Sequence, residues 1–170
     1  MVRSEWEITL RRRFEHAFRH QLIPRDSLAL SIKARVKFGC FHREHSPRAY
    51  EIIDKYLAVN APKDAPFVFE EHESGPEILL WLAAIAGAFS FSASVVNLVT
   101  AIIKARSEGI RRGDGRQSPI ELVVRGLTAK DIYFEKMVLR FEAGDAVNRD
   151  TIEDALNTAI LTPENQGNKE

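Results

Sequence analysis

From Ser27 to Phe41 the chain alternates, with Leu28, Leu30, Ile32, Ala34, Val36 and Phe38 apolar and Ser31, Lys33, Arg35 and Lys37 polar. A period of two is the pattern of a strand with one buried face. Pro24-Arg25-Asp26-Ser27 predicts the turn before it. Trp6, Ile8 and Leu10 also alternate with polar neighbours and predict an earlier strand. Ser46-Pro47 predicts a helix start, with serine as cap and proline at the first helical position. Tyr50, Ile53, Tyr56 and Leu57 supply the buried face of that helix, and Asn60-Ala61-Pro62 ends it. Phe67-Val68-Phe69 reads as a short strand.

The strand pattern returns after Pro119. Ile120, Leu122 and Val124 alternate with Glu121, Val123 and Arg125, and Met137, Leu139 and Phe141 alternate with Val138, Arg140 and Glu142. A last helix is predicted from Asp145 to Ile160, where Ile152, Ala155, Leu156, Ala159 and Ile160 form one stripe. Asn165 to Glu170 is a polar tail.

Between these halves, Ile78 to Ile103 runs for 26 residues without a charge. As one helix it would be about 39 Å long, and a bilayer core needs only about 20 apolar residues. Gly75-Pro76-Glu77 suits the start of such a helix, with Glu77 complementing its positive end. Trp81 lies near one end, and Lys104, Arg106, Arg111, Arg112 and Arg116 form a basic anchor at the other. That asymmetry predicts a single-pass inner-membrane protein with its C-terminal side in the cytoplasm. The alternative is a cytoplasmic protein whose helix is buried in a soluble core or oligomer. Ala83, Gly87, Ser90, Ser94, Asn97 and Ala101 recur at three- and four-residue steps and give this helix one small, weakly polar association face.

The fold class expected is therefore α+β, with two strand-strand-helix units flanking one long hydrophobic central helix. The segments are residues 1–72, 73–113 and 117–162, followed by a flexible tail over 163–170. The chain of 170 residues is 45% hydrophobic and 28% charged, as ordered proteins are. Lys+Arg and Asp+Glu both number 24, so no overall field recruits nucleic acid. The arginine-rich N-terminus lacks the apolar stretch of a signal peptide. With one cysteine, no intramolecular disulfide framework is expected.

Cys40, His42 and His45 form a C-x-H-x-x-H group of zinc-ligand types, for which His16, His20 or His72 could add a fourth ligand. The competing reading is a buried cysteine beside surface histidines. His16 and His20 read as a solvated face, and Glu70, Glu71, His72 and Glu73 as the acidic lead-in to the central helix. Arg111-Arg112-Gly113-Asp114-Gly115-Arg116 lacks the order of a phosphate loop and follows a helix instead of preceding one. Neither G-x-S-x-G nor H-E-x-x-H occurs, and no cofactor is expected.

From His72 to Asp114 and on through Pro119 to Arg125 the order is an acidic Gly-Pro-Glu lead-in, an Ala/Leu/Val helix, a basic exit and a Glu-Leu-Val-Val strand. This order, over roughly the last 100 residues, resembles the effector-associated constant component family of small bacterial proteins. Members are encoded beside effector and NTPase partners in conflict systems. The resemblance implies a non-enzymatic adaptor or membrane-proximal accessory role and transfers no functional residues. The expected function is a bacterial accessory or adaptor protein of a defence system. It would self-associate as a homo-oligomer, or dock a protein partner, through the 83/87/90/94/97/101 face. The alternatives are a soluble homodimeric structural domain and a small metal-binding protein or enzyme using Cys40, His42 and His45.

Overall fold

The computed structural model describes residues 5–21, 23–60, 67–86, 88–115 and 118–161. Nine elements follow one another: α1 (Glu5–Ala17), β1 (Leu28–Val36), α2 (Pro47–Asn60), β2 (Phe67–Glu70), β3 (Glu77–Leu82), α3 (Ala93–Arg111), β4 (Ile120–Leu127), β5 (Tyr133–Phe141) and α4 (Arg149–Ile160). The strands join in one antiparallel sheet of order β2-β3-β1-β4-β5. Strand β1 sits at its centre, pairing Ile32 with Ile78 on one side and with Val124 on the other. Because β3 and β4 both run antiparallel to β1, they are parallel to each other, and α3 carries the chain across β1 between them. This is a split β-α-β arrangement.

The two sheet faces carry different loads. Leu28, Leu30, Ile32, Ala34 and Val36 of β1 face the main core with Ile78, Leu80, Leu122 and Val124, under Tyr50 and Ile53 of α2, Val99 and Ile103 of α3 and Leu156 of α4. The opposite face is covered by α1 and the turn after it, where Leu10 and Phe14 of the helix and Phe18 just beyond it pack with Leu79, Val68, Trp81 and Tyr133. Spacing of four places Leu10 and Phe14 on one side of a helix. The strand expected over Trp6, Ile8 and Leu10 is therefore corrected to helix α1, although its hydrophobic alternation is real.

The central helix expected over Ile78–Ile103 does not exist as one element, and the architecture of two units around it is corrected accordingly. Ile78 to Leu82 belong to β3, Ile85 and Ala88 form an isolated bridge, and α3 starts only at Ala93. The physical reason is burial. β3 lies inside the sheet, with Ile78 and Leu80 in one core and Leu79 in the other. A strand buried on both faces needs no polar alternation and reads as a continuous apolar run. Ser92 then caps α3, its hydroxyl accepting from the Val95 amide at 3.4 Å. No helix among the described residues is long and apolar enough to cross a membrane, so the expected transmembrane span is withdrawn.

Two contacts hold neighbouring elements in register. Gly75, at φ +142°, brings its backbone so close to the Ala34 carbonyl that a Cβ there would lie 1.8 Å from that oxygen. Alongside it, the Ala34 and Val36 amides donate to Pro76 and Ser74 at 3.0 Å, extending the β1–β3 ladder past β3. At the other contact, Asp114 reaches the first turn of α2 from beyond α3 and accepts from the amides of Arg48 at 3.1 Å and Ala49 at 2.9 Å. The carboxylate satisfies amides that the first helical turn leaves open and complements the helix dipole.

Candidate functional site

A concavity of the helical layer lies between α2 and α3. It is an open groove of about 720 Å³. Its floor is Thr100, Ala101 and Ala105 of α3, its apolar wall is Ile52 and Tyr56 of α2, and its rim carries Lys104, Glu108, Arg112 and Arg149. The groove exists because of the floor residues. Alanine at 101 and 105 and a threonine that folds its hydroxyl back onto the Val96 carbonyl at 2.8 Å leave space that larger side chains would fill. Toward the N-terminus of α3, Ser94, Asn97, Tyr56 and Leu57 line an adjoining hollow of about 110 Å³.

Three of the six residues expected to form an association face lie on α3. Ser94, Asn97 and Ala101 are brought together along this concavity, and Asn97 accepts from Arg149 Nε at 2.5 Å. Ala83 and Ser90 are exposed in the connection between β3 and α3, away from that stripe, and Gly87 lies outside the described residues. Ile52 and Arg149 complete the groove without having been singled out in the sequence, and Tyr56 does so without having been read as a site residue. The signal available for Tyr56 was its assignment to a buried helix face, of which it forms the half-exposed margin.

The basic anchor is dispersed. Lys104 is exposed on the groove rim, whereas Arg106 is buried, its guanidinium 5.0 Å from the centre of the Phe41 ring. Burial pulls the Arg106 pKa down, opposed by the charges of Asp114 and Cys40. Arg111 and Arg112 both bond Glu108, at 2.5 and 2.8 Å for the closest contacts, and these hydrogen bonds hold the Glu108 carboxyl down to about 2. Arg116 lies outside the described residues. A headgroup anchor cannot include a buried Arg106, so that reading is corrected.

A second concentration of chemistry occupies the α1 face of the sheet. Glu77 is fully buried, accepting from the Ser31 hydroxyl at 2.5 Å and from Arg13, and lying 3.1 Å from His72 Nε2 and 3.7 Å from Arg125 Nη1. Opposite it in register is Lys33, whose pKa burial pulls down while the Glu77 charge opposes. Glu70, His72 and Glu77 place one ligand atom each within 4.8 Å, a spacing that a metal ion could bridge. The Arg13 guanidinium pairs with two of these carboxylates, bonded to Glu77 and 3.9 Å from Glu70. This cluster is an ion-pair network closed by α1, and Glu77 heads a strand instead of complementing a helix dipole.

The third group is Cys40, His42 and His45, which the turn between β1 and α2 brings within 4.8 Å of one another. His16 and His20 are exposed on and just after α1, and His72 is engaged with Glu70 and Glu77, so none of the three histidines expected as a fourth ligand is brought into this group.

No protein-family model, no curated protein and no solved structure matches this chain.

Proposed function

We propose that this protein is a non-catalytic docking module whose α2–α3 groove receives an amphipathic helix of a protein partner. The observation that carries this reading is the groove itself, with a small-residue floor beside the half-exposed Tyr56 and Ile52. Recognition of a helix in a groove uses such an apolar trough, with charges on the rim to fix orientation. The rim carries Lys104, Arg112 and Arg149; Arg112 is paired with Glu108 and Arg149 with Glu153 and Asp150, and the exposed Lys104 favours a helix with an acidic flank. An adaptor role is also what the resemblance to the effector-associated constant component family implies.

The test uses two synthetic helical peptides with the same Leu/Ala face, one flanked by Glu and one by Lys. At low salt the Glu peptide is expected to bind more tightly than the Lys peptide, and Ala101→Trp, which fills the trough, to weaken it at least tenfold. Equal binding of both peptides, or affinity unchanged by Ala101→Trp, contradicts the proposal. A concentration-dependent mass without peptide, abolished by Ala101→Trp, would replace the heterologous helix with a second copy of the chain.

A further inference from the structure

The turn joining β1 to α2 is unusually constrained. Gly39, at φ +85°, reverses the chain after β1, and the Ser118 hydroxyl donates to the Phe38 carbonyl at 2.6 Å. Phe41 is fully buried between Tyr50 and Arg106; its amide donates to the Glu73 carbonyl at 2.8 Å and its carbonyl accepts from the Tyr50 hydroxyl at 3.1 Å. From the outside, Arg43 forks onto Asp54 at 2.5 and 2.9 Å and onto Glu71 at 2.5 Å. Between these fixed points the His45 and Ser46 amides both donate to the His42 carbonyl, at 3.1 and 2.8 Å. That single tight turn puts residues 42 and 45 on the same side of the loop, with ring centres 4.5 Å apart.

Cys40 projects to the same side. Its Sγ lies 2.7 Å from His45 Nδ1, and one donor atom from each of Cys40, His42 and His45 falls within 4.8 Å of the others. Metal–ligand bonds of 2.0–2.3 Å in a tetrahedron place sulfur and imidazole nitrogens about 3.3 to 3.6 Å apart, so small side-chain rotations suffice to converge the three. One atom distinguishes this group from an ordinary thiol–imidazole contact. His42 Nε2 is buried and has no hydrogen-bond partner among the described residues. A buried imidazole nitrogen without a partner is destabilising, and a metal ion removes that penalty.

We propose that Cys40, His42 and His45 bind one transition-metal ion of the zinc class. One thiolate and two imidazoles form a donor set for zinc or its cobalt(II) surrogate and not for magnesium or calcium, which take oxygen ligands. Three protein ligands leave the fourth tetrahedral position to water or an external donor, as Cys40 and His42 are half-buried and His45 is exposed. The neighbouring acidic cluster provides the internal contrast. Glu70, His72 and Glu77 satisfy the same spacing, but both of their carboxylates are paired with the Arg13 guanidinium.

The experiment is a cobalt(II) titration of the full, metal-stripped chain under reducing conditions, followed by zinc competition. The expected result is one cobalt per chain with sulfur-to-metal charge-transfer absorption and the intense visible bands of tetrahedral coordination, both abolished by equimolar zinc. Cys40→Ser should remove the charge-transfer band, and His42→Ala should weaken binding more than about 100-fold, the upper end of the effect of losing only a supporting group. Glu70→Gln should leave the titration unchanged, which locates the ion at one cluster and not the other. Circular dichroism of each variant separates lost binding from lost folding, and Cys40→Ser preserves side-chain size so that it remains interpretable. Absence of stoichiometric binding by the folded wild-type chain, or a spectrum unaffected by Cys40→Ser, overturns the proposal.

Discussion

The Ser31 hydroxyl donates to Glu77 Oε2 at 2.5 Å inside the face of the sheet that α1 covers, and both side chains are fully buried. The central strand thereby fixes a carboxylate that also neutralises Arg13 and faces Arg125. Removing one member of a buried ion-pair network is more damaging than removing a neutral partner, because the opposite charge stays buried. Glu77→Ala should therefore destabilise the fold by about 3–5 kcal/mol, and Ser31→Ala by about 1.5–3 kcal/mol. Urea denaturation of the two variants checks the order; equal losses would show that the charge is not what matters.

Gly75→Ala should be as severe, for a backbone reason. Its φ of +142° and the 1.8 Å separation between a built Cβ and the Ala34 carbonyl oxygen leave no side-chain rotation that could relieve the clash. The loss should be several-fold that of Gly144→Ala, where φ is +86° but nothing lies within 4 Å of the added carbon. Melting temperatures of the pair measure the difference between close approach and conformational preference alone.

Asp114→Ala should cost about 1–2 kcal/mol by opening the amides of Arg48 and Ala49 in the first turn of α2. Asp114→Asn should recover part of it, as one amide oxygen can still accept. Hydrogen exchange at Ala49 is the direct readout, and unchanged protection in Asp114→Ala would refute the capping role.

Acid sensitivity should track the clamp on the β1–α2 turn. The hydrogen bond from Arg43 holds the Asp54 carboxyl below its ordinary value of 3.8, partly opposed by desolvation and helped by the Arg43 charge. A carboxyl with a lower pKa in the folded than in the unfolded chain stabilises fully above the unfolded value, and that contribution disappears as pH falls through the folded one. Stability of the wild type should therefore fall below about pH 4 more steeply than that of Asp54→Asn. Parallel acid limbs for the two proteins would contradict this.

Much of the sheet was legible because its strands alternate. The run from Ser27 to Phe41 contains β1, and the patterns after Pro119 contain most of β4 and the end of β5. Ser46-Pro47 places the start of α2 to the residue, and the stripe from Ile152 to Ile160 lies on α4. Residues 78–103 misled because two unlike elements abut without a charge between them. Leu79 is buried under α1 and Ile78 and Leu80 under the other helices, so β3 has no polar face to betray its period. Ser92 caps α3, but it stands inside the uncharged run, where nothing in the sequence set it apart as a helix start. For the site, the small residues Ser94, Asn97 and Ala101 and the C-x-H-x-x-H spacing were readable. The groove wall at Tyr56 and the buried position of Arg106 were not, since each depends on which helix packs beside it.

Amide chemical-shift mapping with the Glu-flanked helical peptide tests the central claim most directly. The docking account predicts saturable shifts concentrated at Ile52, Tyr56, Asn97, Ala101 and Lys104, with β5 and α1 unmoved. Shifts scattered over the surface, or confined to residues outside the α2–α3 groove, would contradict it.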